Sequence, residues 1–173
     1  IKLYQQILSN YPQYQRADEA TFYLASALQE IGKRDKAVKE FTRLVRTYPE
    51  SRLVSDAYVM IGEYYFDNNN AYKALVAYRK AASFGRDSEK YAFSMYKLAW
   101  CYYNVGEYGK SIDTMKAVVA HAMAEASKED GKARSRIQLQ EEALKDLVRF
   151  FADAGEMDEA YAYFNKLGKK DLI

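Results

Sequence analysis

The sequence is poor in the residues that usually build chemical sites. Its 173 residues include one histidine, one cysteine and one tryptophan. A single cysteine closes no internal disulfide and leaves the redox compartment open. One histidine and one cysteine make no His/Cys cluster, so neither a zinc site nor any cofactor is expected. Prolines number two and glycines eight, and the glycines form no run. The phosphate-cradling loop of nucleotide enzymes is therefore missing. "NNNA" at 68–71 reads as a turn that tolerates unusual backbone angles. No window approaches eighteen apolar residues, so no membrane span is expected. Charge of one sign is also lacking: 26 basic and 24 acidic residues leave a net +2. That balance does not favour nucleic acid as a partner.

Apolar and aromatic residues are present in quantity. Apolar residues make up 49% of the chain, and seventeen residues are tyrosine. So many tyrosines imply positions where a ring packs while its hydroxyl stays wet. Four turn-like anchors organise them. Gly32, Asn69 and Gly106 recur 37 residues apart, and Gly155 follows after 49, which places a twelve-residue insertion in the last interval.

The same side-chain pattern surrounds each anchor. Eight residues before it stand Leu24, Ile61, Leu98 and Leu147; seven before, Ala25, Gly62, Ala99 and Val148. Four before stand Leu28, Tyr65, Tyr102 and Phe151. Five after come the small Ala37, Ala74, Ser111 and Ala160, and nine after the large Phe41, Tyr78, Met115 and Phe164. Twelve after come Leu44, Ala81, Val118 and Leu167. One period before Gly32, the residues Tyr4, Ile7 and Pro12 stand where Phe41, Leu44 and Pro49 recur. Residues 1–12 thus read as the second half of an earlier repeat, and the chain as a piece of a longer protein.

The spacing within each half follows a 3.6-residue period, so each half is a helix. The expected pairs are 16–31 with 34–47, 53–68 with 71–84, 89–105 with 108–126, and 137–154 with 157–167. Gly or Asn at the anchor suits the left-handed residue that ends a helix. Ser51 and Ser88 are the expected caps of the helices that follow them. One such pair cannot cover its own apolar face; stacking on neighbours does so.

These residues resemble the tetratricopeptide repeat over nearly the whole chain. The small residue of that family is matched by Ala25, Gly62 and Ala99, and its aromatic by Tyr65, Tyr102 and Phe151. Its alanine is matched by Ala37, Ala74 and Ala160, and its closing proline by Pro12 and Pro49. The departures are a period of 37 rather than 34, Ser111 in place of alanine, and no proline in the later repeats. The resemblance implies an all-α fold: a right-handed superhelical solenoid of antiparallel helix pairs, about four repeats plus an N-terminal half repeat, in one array over 1–173. The stretch "VRTYPESRLVSDAYVMIGEYYF", with Tyr48, Pro49 and Ser51 in its turn, is also similar to repeats of bacterial periplasmic scaffolds. These include the TolA-binding cell-division coordinator and the lipoprotein of the outer-membrane barrel-assembly machinery. That likeness implies a periplasmic or outer-membrane-associated place; without it the expectation is cytoplasmic.

No catalytic constellation accompanies His121, which reads as a helix-surface residue. Cys101 reads as a small core hydrophobe. Carboxylate pairs such as Glu141-Glu142 and Asp158-Glu159 lie among Lys and Arg on solvated faces. The polar insertion at 121–140 reads either as an overlong helix and turn or as a protruding contact element. Its "KARSR" has too few charges to argue for lipid or nucleic acid. The chain is expected not to be an enzyme.

In tetratricopeptide arrays the first helix of each pair lines the concave surface. Counting back from the anchors, the third repeat shows Tyr96, Trp100 and Tyr103 there, at i, i+4 and i+7. Leu98 and Tyr102 already form a core stripe on that helix. A second apolar stripe is either buried by a neighbour or offered to a partner. The insertion can fold back over Trp100, so both alternatives stand. Phe66 adds to the stripe. Glu63 and Asp67 on one side, and Lys145 and Arg149 on the other, give the groove an acidic and a basic end. The expected function is a scaffold that binds a protein or peptide in this groove. The alternative is a structural section of a longer solenoid that self-associates through its uncapped N-terminal end or packs on neighbouring domains.

Overall fold

The computed structural model describes residues 1–11, 13–86, 88, 90–125 and 133–173. Among them all regular structure is helical. The elements are α1 (Lys2–Asn10), α2 (Ala17–Glu30), α3 (Arg34–Thr47), α4 (Val54–Asp67), α5 (Ala71–Ala82), α6 (Tyr91–Asn104), α7 (Tyr108–Glu125), α8 (Ala133–Ala154) and α9 (Met157–Lys166), with a closing 3₁₀ turn at Lys170–Leu172. Helix ends match the sequence pattern within two residues, apart from the start of α8. That helix begins four residues before the expected 137, and within the added turn Arg136 donates to the Glu125 carbonyl at 3.0 Å. Pro12 and residues 126–132 of the insertion lie outside the described residues.

Each anchor ends a helix in one way. Gly32, Asn69, Gly106 and Gly155 all have positive φ, from 55° at Asn69 to 79° at Gly106. The next residue donates its backbone N–H to the carbonyl five positions back: Lys33 to Leu28, Asn70 to Tyr65, Glu107 to Tyr102 and Glu156 to Phe151, at 2.8–3.0 Å. This bond satisfies carbonyls that a helix end leaves open and reverses the chain. Asn70 then caps α5 by accepting from the Lys73 amide at 3.2 Å. Ser51 and Ser88 stand three residues before their helices rather than at the cap, which for α4 is Leu53, and accept from the Leu53 and Lys90 amides at 3.2 and 3.3 Å, closing the turn that leads in. Ser51 also donates to Asp18 at 2.5 Å, which ties that turn to the first turn of α2.

The chain divides into two compact units, residues 1–91 and 92–173. In the first, α2, α3 and α4 share a core of Leu24, Leu28, Phe41, Leu44 and Ile61, with Ala25 and Ala37 where the helices come close. Gly62 meets Tyr78 in this unit: a Cβ built on Gly62 would lie 2.7 Å from the Tyr78 ring. The smallest residue of its repeat position therefore stands against the ring that lies nine residues past the anchor. In the second unit, Ala99, Met115, Val118, Leu147, Phe150, Phe151 and Phe164 form one core shared by α6, α7, α8 and α9. Cys101 is buried, as a small hydrophobe would be.

Candidate partner-binding site

The eight sequence-derived candidates divide between the two units. Glu63, Phe66 and Asp67 belong to the first, and Tyr96, Trp100, Tyr103, Lys145 and Arg149 to the second. In the first unit the acidic pair is engaged locally. Glu63 accepts from the Tyr78 hydroxyl and Asp67 pairs with Arg34. Phe66 stands edge-on to Tyr78, with centroids 6.5 Å apart.

In the second unit α6 presents its aromatic stripe to α8. The Tyr96 hydroxyl donates to Asp146 at 2.6 Å, and the Trp100 indole N–H donates to the same carboxylate oxygen at 3.0 Å. The Tyr103 hydroxyl donates to Asp153. Phe150 supplies the apolar contact: Tyr103 stacks on it at 4.7 Å and 13°, and Trp100 meets it edge-on at 5.0 Å. Thus α8 covers one side of the stripe, and its carboxylates hold every polar tip. Trp100 and Tyr103 are only partly buried.

Arg149 closes the outer side. Its guanidinium carbon lies 5.6 Å from the Trp100 ring centre and 5.3 Å from that of Tyr103, and its Nε donates to the Tyr103 hydroxyl at 3.2 Å. Asp153 lies 3.7 Å from the same Nε. The Arg149 side chain is nevertheless 61% exposed, so it is ordered on the aromatic rings while its remaining N–H groups face water. Such a guanidinium can receive a carboxylate or carbonyl without first being immobilised. Lys145 is exposed one turn away. The sequence points to a basic end here; in the structure Asp153 lies beside Arg149 and offsets its charge.

Proton affinities follow from this geometry. Burial pushes the Tyr96 hydroxyl up to about 12, and its hydrogen bond to Asp146 adds to the rise. The bond to Asp153 raises that of Tyr103, and the bond to Tyr103 raises that of Arg149. These shifts keep the hydroxyls as donors at neutral pH and do not poise any group for proton transfer there. Among the described residues no group of three or more His, Cys, Asp and Glu side chains could hold a metal ion. No described helix is long and apolar enough to cross a membrane.

Sequence reasoning singled out neither Asp146 nor Asp153. Asp153 stands two before its anchor, as Asp67 does. Asp146 stands nine before, beside a buried position, where a lone acid next to Leu147 was the available signal.

Comparison with known proteins agrees with this architecture. Family models of the tetratricopeptide repeat match residues 19–51, 55–84 and 93–121, more than half of the chain. No curated protein sequence matches. A crystal structure of MamA is similar over 98% of this chain and 85% of its own, at 22% identity and a TM-score of 0.67. A Podosopora anserina protein, described as a kinesin light chain with nearly identical TPR-like repeats, matches over 98% and 84% at 16% identity and 0.65. MamA from Desulfovibrio magneticus RS-1 matches over 98% and 92% at 16% identity and 0.62. These likenesses are of fold. Together with the three matched repeats and the recurring anchors, they establish that the chain belongs to the tetratricopeptide-repeat family.

Proposed function

We propose that the chain is a non-enzymatic scaffold whose α6–α8 surface receives a segment of a partner protein. The carrying observation is the Trp100–Tyr103–Arg149 cluster. Two part-exposed rings are fixed by Phe150, and an exposed guanidinium is already laid over both. Trp, Tyr and Arg are the residues that most often anchor protein interfaces. Their hydroxyl and indole donors are held by Asp146 and Asp153, so the ligand meets ring edges and Arg149 rather than open donors. The similarity of the Tyr48-Pro49-x-Ser51 turn to periplasmic scaffold repeats supports a place in a bacterial envelope assembly, and fractionation of tagged cells tests that placement.

A photocrosslinking residue at position 149 tests the surface, with position 158 on α9 as control. A partner crosslinked at 149, absent at 158 and lost in Trp100→Ala supports it. Equal recovery at 149 and 158, or undiminished recovery in a folded Trp100→Ala variant, rejects it.

A second reading has its own observation. Leu3 and Tyr11 are each 66% exposed, and Tyr14 and Tyr23 are exposed beside them. This apolar surface on and near α1 fits packing against another repeat or another copy. Sedimentation across a concentration range tests it; a monomer throughout counts against self-association.

A further inference from the structure

The first unit carries a basic cleft that the scaffold reading does not use. On α3, Lys36, Lys39, Arg43 and Arg46 follow at steps of three and four, which places them on one face. The outer part of this stripe, with Lys73 of α5 and Tyr64 and Tyr65 of α4, lines a cleft of about 750 Å³. Glu40 of the same helix pairs with Arg43 at 2.6 Å. Asp35, which lines the cleft, accepts from the Tyr64 hydroxyl at 2.7 Å and keeps its negative charge. Among the described residues, Lys36, Lys39, Arg46 and Lys73 form no ion pair with a carboxylate. A chain of net +2 thus sets Lys39, Arg43, Arg46 and Lys73 in the lining of one cleft whose only lining carboxylate is Asp35.

We propose that this cleft binds a carboxylate-rich, extended segment of a partner protein. Charge complementarity names the ligand's sign. The dimensions name its form: Lys39 to Arg46 spans about 10 Å of helix, which matches about three residues of extended chain. The aromatic walls argue against single-stranded nucleic acid, which needs open ring faces for bases to stack on. Lys73 sits over the face of Tyr65 at 5.1 Å, and Tyr64 meets Tyr65 edge-on at 76°. Tyr65 is therefore capped by a cation and flanked by a ring, and is not an open platform. A membrane surface would favour a flat or protruding face with apolar residues to insert, and this site is a recess. The cleft lies in residues 35–73 and stands or falls independently of the α6–α8 surface.

The test is fluorescence anisotropy with the full chain and a labelled peptide carrying a run of glutamates. The same peptide with glutamines, a deoxythymidine oligonucleotide and phosphatidylglycerol vesicles are the comparison probes. The glutamate peptide is expected to bind, more weakly as salt rises, and the glutamine peptide is not. Lys39→Glu with Arg46→Glu is expected to weaken binding roughly tenfold or more. Lys166→Glu on α9 is expected to leave it within about twofold. The milder Lys39→Gln with Arg46→Gln guards against a folding defect, and circular dichroism checks each variant. Unchanged binding in both double variants overturns the site. An equal loss in Lys166→Glu shows diffuse attraction and overturns it too. Tighter binding of the oligonucleotide or the vesicles overturns the assignment of a protein ligand.

Discussion

Replacing Gly62 by alanine tests the packing rule on which the repeats depend. In an exposed helix this change stabilises by about 1 kcal/mol, because glycine loses more backbone freedom on folding. Here the new Cβ would lie 2.7 Å from Cε1 of Tyr78 and 2.8 Å from its Cδ1 and Cζ, where ordinary contacts begin near 3.4 Å. The ring has little room to retreat. It is fully buried, its hydroxyl is bonded to Glu63, and Phe66 stands against it. The displacement must be taken up by the spacing of α4 and α5. Overpacking of this kind costs about 1–3 kcal/mol, and the pinned ring places it in the upper part of that range. The expected net effect is a loss of about 1–2 kcal/mol, or roughly 2–8 °C in melting temperature for a chain of this length. Urea unfolding followed by far-ultraviolet circular dichroism measures it. The decisive comparison is the same change beside Tyr78→Leu. Leucine deletes Cε1 and Cζ, two of the three close atoms, and carries the third on a rotatable branch. In that background Gly62→Ala is expected to stabilise by about 0.5–1 kcal/mol, so the sign reverses. Stabilisation by Gly62→Ala in the otherwise native chain, or a coupling energy near zero, would refute the reasoning.

Three further outcomes are expected. Tyr96 should ionise near pH 12 in an absorbance titration at alkaline pH, and Asp146→Asn should lower that midpoint. Because the folded state raises this group above its ordinary value, its stabilising contribution is complete below about pH 10 and is lost as pH climbs through 12. Asn69→Gly should be neutral or slightly stabilising and Asn69→Val should cost about 1–2 kcal/mol, read by chemical denaturation, since φ is +55° there. Phe164→Ala, at a fully buried position of the second core, should cost about 3–5 kcal/mol in the same measurement.

The repeat was legible because its causes are local. Leu24, Ile61, Leu98 and Leu147 recur eight residues before their anchors, and all four are buried. Ala37, Ala74, Ser111 and Ala160 recur five after, and all are buried as well. A helix face, a tight approach and a left-handed turn each depend on residues a few positions apart, so period alone finds them. The candidate site was legible only in part. Tyr96, Trp100 and Tyr103 were visible as a stripe, but two alternatives stood for what covers it. The answer lies 46 to 50 residues away, in Asp146, Phe150 and Asp153 across the insertion. No period links those positions, because the twelve extra residues break it.

The sequence by itself determined the helices, their pairing, the turn residues and which positions enter a core, since these follow from spacing along one strand of backbone. Only the tertiary structure decided that α8 lays carboxylates and Phe150 against the α6 aromatics, that Arg149 comes to rest on two rings, and that the α3 cations share a cleft with Tyr64 and Tyr65. Those juxtapositions arise when separate helices stack, and side-chain reach between elements is fixed by packing rather than by order along the chain.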